Sequence, residues 1–531
     1  MTKVQKKLRV LVDLRPALQG FAGIPQEVRL LFRGLCLDDN LSIEGFLQMD
    51  SAALAFGLSP NESSSNQSKA DSQPWANARK FHALAQVIIT ASDDWWNHSR
   101  TALEVIRDWI KRRVQQLNLV YGSIKIDLGR FEPLYFEDFI WRYLFSKTLS
   151  PSDFTLVTSK NHRVCPISWE DMQDAGLDTL SLSPTPKYPE INTSDFDVFI
   201  AQTPYPGRVS PNTSMIVRYH DAIPVFLPHT IPGKRKHESI HFHALMSNVE
   251  NGAWFSCVSD TSRRDLLRIF PEAADRAVTI YNMVSPQYYV EDSSFEEVRK
   301  IIPLRRSLAV SAHDDQSNDY KTVSPKFKSA ADEAQFFATA LNGDFRYLLV
   351  VSTIDPRKNH ATCIAAWQAI KRKKDPNLKL VFVGALGWDY GPLTKDLTSE
   401  MANGDLFLLD GVPTSELRLL YRHASATVCP SFAEGFDFSG VEAMRCGGVV
   451  VASDIAVHRE VYEDAAEYFD PYSSDSATSA LSRVLYDTDS ERVQSDLRRR
   501  GDQVSTRYLP ENIMPKWTSF LERVSGSQSS D

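Results

Sequence analysis

Apolar positions along this chain follow two periods that alternate. "LRVLVDL" (8–14) is a near-continuous apolar run that predicts a buried strand. "PQEVRLLFRGL" (25–35) carries Val28, Leu31, Phe32 and Leu35 at helical spacing, with Pro25 suited to the first helical position. Strand-then-helix alternation returns at "FDVFIAQTPYP", "SMIVRYHDAIPV", "WFSCVSDTSRRDLLRIF" and "AVTIYNMV". A second series follows, in which "RYLLVVST", "KLVFVGA", "LFLLDGV", "SATVCPS" and "VVVAS" read as short buried strands. "HATCIAAWQAI", "SELRLLYRHA" and "GVEAMRC" are the helices between them. Continuous apolar strands alternating with helices indicate a parallel sheet covered on both faces. Two such series predict an α/β chain of two doubly wound Rossmann-like domains facing across a cleft, with ligands outside the carboxyl ends of the strands.

Between these series the patterning changes. Residues 58–74 and 311–335 are polar and unpatterned, which suggests loops or linkers. Residues from about 50 to 190 read as a largely helical, aromatic-rich insert, including "FEDFIWRYLF". In that insert "SRTALEVIRDWIKRRVQQL" sets Leu103, Ile106, Ile110, Val114 and Leu117 at helical spacing beside Lys111, Arg112 and Arg113. The segment is either a core-facing helix with a solvated basic side or a peripheral contact for an anionic membrane. "FEDFIWRYLF" is either core or an aromatic wedge for the same surface.

At 531 residues the chain is too long for one ordinary core. A net charge of -8 argues against nucleic acid as the main partner, because such partners need a broad basic face. Six cysteines, none in a C-x-x-C pair, fit a reducing compartment and exclude a disulfide scaffold or zinc ribbon. No signal peptide and no run of 18 apolar residues is present, so the expected location is cytoplasmic, with a peripheral site at the inner face of the membrane as the further option.

The richest stretch is "PSFAEGFDFSGVEAMRCGGVVVAS", Pro430 to Ser453. Its loop follows a strand and its helix starts near Phe438, so the amides of Phe438, Ser439 and Gly440 are candidates for a diphosphate. Glu434 falls in the loop and Glu442 in the helix, and carboxylates are good acceptors for sugar hydroxyls. The bland alternative is a surface acid and an ordinary helix-start acid.

This stretch resembles the two-glutamate signature of group 1 (family 4) retaining glycosyltransferases, which have the GT-B fold. "DLRPALQGFAGIPQEV", "YHDAIP", "CVSDTSRRDL", "VSTIDPRKNHATCIAAW", "FVGALGW" and "GVPTSELRLLYRHA" match further family segments in order. The resemblance implies that Glu442 binds the ribose of a nucleotide-sugar donor and that Glu434 contacts the donor sugar. It implies that Lys358 neutralises the diphosphate and that His220 lies near the donor sugar, with a core histidine as the alternative. It also puts Gly23 in the loop expected to approach the donor phosphate or acceptor, and Val412 against the nucleobase through its backbone. Where the commoner pattern has an arginine five positions before the lysine, this chain has Thr353, so Arg357 either supplies the second cation or is a surface charge.

On this reading residues 1–340 form an acceptor-binding domain, 341–505 a nucleotide-sugar domain, and 506–531 a helix packing back on the first domain before a flexible tail. Catalytic roles fall to Glu434, Lys358 and His220. No cofactor and no metal is expected. The partners are a nucleotide-sugar donor and a glycan or lipid-linked glycan acceptor, without nucleic acid. Among bacterial polysaccharide mannosyltransferases, to which the "DPRKN" variant is similar, the implied reaction is mannose transfer from GDP-mannose in O-antigen or related lipopolysaccharide biosynthesis. A non-catalytic nucleotide-sugar-binding subunit and a GT-B epimerase remain open as alternatives.

Overall fold

The computed structural model describes residues 7–50 apart from 19, 21 and 22, then 76–92, 124–306, 325, 327–385 apart from 344, 387 and 397–527. The chain divides into two compact units. The first comprises residues 1–228, 233–283 and 510–531, and the second residues 229–232 and 284–509.

The first unit holds β1 (Leu8–Asp13), β2 (Leu41–Leu47), β3 (Lys125–Ile126), β4 (Gly129–Phe131), β5 (His162–Val164), β6 (Glu190–Ile191), β7 (Val198–Ala201), β8 (Ser214–Tyr219), β9 (Trp254–Cys257) and β10 (Ala277–Thr279). Eight of them form one sheet in the order β10-β9-β8-β7-β1-β2-β5-β4, parallel except where β4 meets β5. The period-two rule explains why β1 is apolar throughout. Val10 and Val12 enter one core with Val198, Ile200 and Ile216, whereas Leu11 enters the opposite core with Phe199, Ala201 and Val217.

The helix Ile24–Cys36 covers the first of these faces, burying Val28, Leu31, Phe32 and Leu35 as its periodicity predicts. It begins one residue earlier than predicted, placing Pro25 second. The last helix, Pro510–Ser527, belongs to the same face through Ile513, Trp517, Phe520, Leu521 and Val524. A buried ion pair ties this face together. Arg218 Nη2 lies 2.9 Å from Glu27 Oε1, Glu27 Oε2 accepts the Met283 amide at 2.8 Å, and the Arg218 guanidinium sits 5.3 Å from the Trp517 ring centre.

The insert is helical in part, as expected, with helices at Glu137–Ile140, Phe154–Thr158 and Trp169–Asp178, but it also adds strands. Besides the helix Ala76–Ser92 it contributes β5, which pairs with β2, and β4, which pairs with β5, so it widens the first sheet. Strands of three residues are too short to display an alternating pattern, which is why the sequence does not reveal them. Within "FEDFIWRYLF", Phe139, Ile140, Leu144 and Phe145 are buried in the core, in keeping with the core reading rather than a wedge. The basic amphipathic segment at 99–117 and the polar stretch at 58–74 lie outside the described residues. Among the described residues no helix is long and apolar enough to cross a membrane.

The second unit is a six-stranded parallel sheet of β11 (Tyr347–Val351), β12 (Lys379–Val383), β13 (Leu406–Leu409), β14 (Ala426–Cys429), β15 (Val450–Ser453) and β16 (Ala466–Phe469), ordered β13-β12-β11-β14-β15-β16. Apart from residues 229–232 the unit runs from Val284, earlier in the chain than the expected start near 341. The segment from 284 onward joins this unit because Glu291 pairs with Arg418 at 2.6 Å and Arg305 with Glu416 at 2.5 Å, while Phe295 packs on Tyr347. The stretch expected to be linker up to 335 already contains the start of a helix, Ala330–Ala340, capped by the Ser329 side chain and anchored by buried Phe337.

Candidate functional site in the second unit

Chain order decides where a ligand can enter this sheet. From β11 the chain builds β12 and then β13 on one side, then crosses to β14 on the other side of β11. The strand order therefore reverses between β11 and β14, which pair in parallel, and ligands of such sheets bind outside the carboxyl ends of the strands at that point. The loops leaving these two strands carry Arg357, Lys358 and Glu434.

The loop after β11 is shaped by its own side chains. Asp355 caps the short turn Pro356–Lys358 by accepting the Lys358 amide at 3.2 Å. Asn359 then takes the left-handed conformation (φ 53°), which asparagine tolerates better than most residues. Its buried side-chain amide donates to the Pro430 carbonyl at 3.0 Å and the Pro471 carbonyl at 2.8 Å, stitching three loops together. In return the Phe432 amide donates to the Arg357 carbonyl at 2.9 Å.

Held this way, the two cations grip one carboxylate. Lys358 Nζ lies 2.5 Å from Glu434 Oε1, Arg357 Nη1 lies 2.8 Å from Oε2, and the Ser431 hydroxyl donates to Oε1 at 2.6 Å. Arg357 Nη1 also donates to the Ala433 carbonyl at 2.8 Å. Arg357 is thus part of the site rather than a solvated surface charge, while Thr353 is exposed. Burial alone would raise the Glu434 carboxyl, but Arg357 and Lys358 outweigh it and hold the group below its ordinary range.

The turn after Glu434 leads into the helix Phe438–Arg445 through Asp437, a non-glycine residue at φ 61°. The Asp437 carboxylate accepts the Ser439 amide at 3.2 Å and the Ser439 hydroxyl at 2.7 Å, and it meets His458 Nε2 at 3.1 Å. Burial would raise this carboxyl too, yet the His458 hydrogen bond and the Lys358 charge hold it well below the usual carboxylate range. The Ser439 amide, one of the expected diphosphate donors, is thus engaged by the Asp437 carboxylate, as Arg357 and Lys358 are by Glu434. Gly440 is also explained locally, because a Cβ there would stand 2.3 Å from Tyr462 Cζ. The amide of Phe438 opens the same helix.

Glu442 lies one turn further along the helix and is almost wholly buried. Its Oε2 accepts the Tyr421 hydroxyl at 3.0 Å, and Tyr421 meets Tyr288 edge-on with centroids 6.1 Å apart. Burial and the Glu442 charge push both phenols well above their ordinary value, so they remain donors. The structure therefore gathers Arg357, Lys358, Glu434 and Asp437 into one ionic group, while Glu442 sits among tyrosine hydroxyls. Val412, half-buried, follows Gly411 (φ 60°) at the carboxyl end of β13.

Two of the candidate residues belong to the first unit. Gly23 caps the helix Ile24–Cys36 at φ 71°, a conformation that favours glycine, and a Cβ there would meet nothing within 4 Å. His220 follows β8, and its Nε2 lies 3.0 Å from the Gln202 carbonyl. A carbonyl only accepts, so Nε2 carries the proton and Nδ1 is the acceptor. Burial and the neighbouring Arg218 push the His220 pKa down to about 3, which makes the ring a neutral hydrogen-bonding group and a poor general base. Asp221 accepts the Ile223 amide at 3.0 Å, a capping role.

The sequence alone does not single out Asp437, His458, Asn359 or Ser431. Aspartate before a helix is a readable cap signal, whereas nothing in the spacing links His458 to a residue 21 positions earlier.

Known proteins resemble this chain. Residues 331–501 match the family described as glycosyl transferases group 1. O-antigen chain mannosyltransferase B of Escherichia coli is 27% identical over 274 residues, 51% of this chain and 61% of that protein. O-antigen chain mannosyltransferase RfbU of Salmonella typhimurium is 32% identical over 141 residues, 26% of this chain and 38% of that protein. The chain thus spans less than two thirds of the length of these relatives. A sucrose-phosphate synthase of Thermosynechococcus elongatus is similar in fold, with a TM-score of 0.52 and 14% identity over 98% of this chain and 100% of that one. The molecule has the GT-B fold, it resembles O-antigen mannosyltransferases, and its residues 331–501 match the group 1 glycosyl transferases.

Proposed function

We propose that this chain is a retaining glycosyltransferase that moves mannose from GDP-mannose to a glycan or lipid-linked glycan in surface-polysaccharide assembly. The carrying observation is the ionic group of Arg357, Lys358 and Glu434, supplied by the two loops at the point where the strand order reverses. Departure of a nucleoside diphosphate builds negative charge on its oxygen, and preorganised cations at that oxygen lower the barrier. Before any ligand arrives Arg357 and Lys358 converge on one point, which the Glu434 carboxylate occupies. In donor binding the diphosphate takes over the cations, and Glu434 turns to the sugar hydroxyls. Glu442, already bonded to a hydroxyl of Tyr421, accepts the ribose hydroxyls in the same manner. The acceptor hydroxyl approaches from the leaving-group side, and the departing phosphate takes its proton, which accounts for retention without a protein nucleophile. The choice of mannose follows the named relatives.

The test is transfer by purified protein from a panel of GDP, UDP and ADP sugars to polysaccharide and lipid-linked acceptors, with the anomer of the product read by NMR. Mannose transfer with retention, lost in Glu434→Ala, is expected. Interconversion of the donor without an acceptor would identify an epimerase instead. Donor binding without turnover would identify a non-catalytic subunit.

A further inference from the structure

The turn between Glu434 and the helix Phe438–Arg445 is held in a conformation its residue type disfavours. Asp437 sits at φ 61°, ψ 95°, where a side chain is strained, and yet it is not glycine. What holds it is a buried network. Its Oδ1 takes the amide and hydroxyl of Ser439, and its Oδ2 meets His458 Nε2 at 3.1 Å. Its carbonyl accepts the Tyr462 hydroxyl at 3.1 Å, and the Tyr462 ring stacks on the His458 ring at 5.0 Å and 19°. On its far side, His458 Nδ1 meets the Ser453 carbonyl at 3.0 Å and the Ser453 hydroxyl at 3.1 Å. The Ser453 hydroxyl in turn donates to the Ser431 carbonyl at 2.6 Å, and the Ser431 hydroxyl holds Glu434. Both ends of the Glu434 loop are thereby fixed to a single imidazole, itself wholly buried.

We propose that Asp437 and His458 are positioning residues for the nucleoside diphosphate, bracing the 431–439 turn so that Glu434, Lys358 and the helix start keep one geometry. This rests on the donor site assigned above. Its sign is distinctive. Asp437 is an anion beside the group that would receive an anionic ligand, so charge alone says that removing it tightens diphosphate binding. Bracing says the opposite.

The experiment is calorimetric titration of GDP, UDP and ADP into wild-type protein and into Asp437→Gly, Asp437→Asn, His458→Ala and the Asp437→Gly/His458→Ala double variant, with ligand-free melting temperatures measured alongside. Glycine accepts φ 61° without strain, so Asp437→Gly removes the brace while sparing the backbone. Expected is a loss of at least about tenfold in affinity for the nucleotide that wild type binds, in Asp437→Gly and in His458→Ala. The double variant should be no worse than the weaker single, because one unit is lost in each case. Asp437→Asn, which keeps an acceptor for Ser439, should recover most of the affinity. Unchanged or tighter binding in Asp437→Gly, or losses that multiply in the double variant, overturns the bracing role alone. Wild-type protein that binds none of the three nucleotides overturns the donor site as well.

Discussion

Lys358 Nζ and Glu434 Oε1 stand 2.5 Å apart, with Arg357 closing on the other oxygen of the same carboxylate. The pair proposed to serve donor and leaving group is thus already mutually satisfied. A diphosphate must compete with Glu434 for its cations. Glu434→Gln should therefore bind the product nucleotide more tightly, by about tenfold, through two cations no longer neutralised. Transfer should fall by about 100-fold or more as the sugar loses its carboxylate partner. Calorimetry for binding and a nucleotide-release assay for turnover check both halves.

Acid should weaken this unit in a defined sense. Glu434 and Asp437 both have folded pKa values below their ordinary values of 4.5 and 3.8. Their stabilisation is complete above those ordinary values and drains away as pH falls below them toward the depressed folded values. The melting temperature of wild type should exceed that of Glu434→Gln/Asp437→Asn at neutral pH, and the gap should close in acid. A gap that widens in acid would reverse the assignment.

Arg218→Met isolates the ion pair of the first unit. It leaves Glu27 buried with the Met283 amide but without its counter-charge, and burial already pushes that carboxyl up. A loss of about 3–5 kcal/mol in denaturant unfolding is expected. The double variant Glu27→Leu/Arg218→Met should lose less, because no charge is stranded.

Metal removal should leave transfer intact, since Arg357 and Lys358 supply the positive charge that a divalent ion would otherwise bring. Activity after EDTA treatment and dialysis should match the untreated protein. Loss in EDTA that manganese restores would count against the assigned cations.

The sequence discloses the second unit well, because Leu348, Val350, Leu380 and Phe382 lie in unbroken apolar runs that a two-sided parallel sheet demands. The resemblance to group 1 glycosyltransferases, not the order of strands and loops, names Lys358 and Glu434 together, and the two side chains do meet. The sequence misplaces the start of the second unit, since the contacts that recruit 284–306 include ion pairs such as Arg305 with Glu416, which leave no periodic trace. The helix start is only partly legible for a related reason. A glycine and a serine after "GFDF" suggest open amides, but Asp437 turns back on Ser439, and Gly440 is required by the ring of Tyr462, far along the chain. Side-chain pairing across long sequence separations is invisible to local pattern.

The return of Pro510–Ser527 to the first unit carries a consequence for biosynthesis. Trp517, Phe520 and Leu521 reach the core around Val10 and Val12 only after every strand of the second unit has been translated. The amino-terminal half must therefore wait, incomplete, while the later half has all its strands and can close first. A fragment ending near residue 283 would lack those side chains and expose the face they cover. Attempts to express that half alone should yield aggregating material unless the final helix is supplied, fused or in trans.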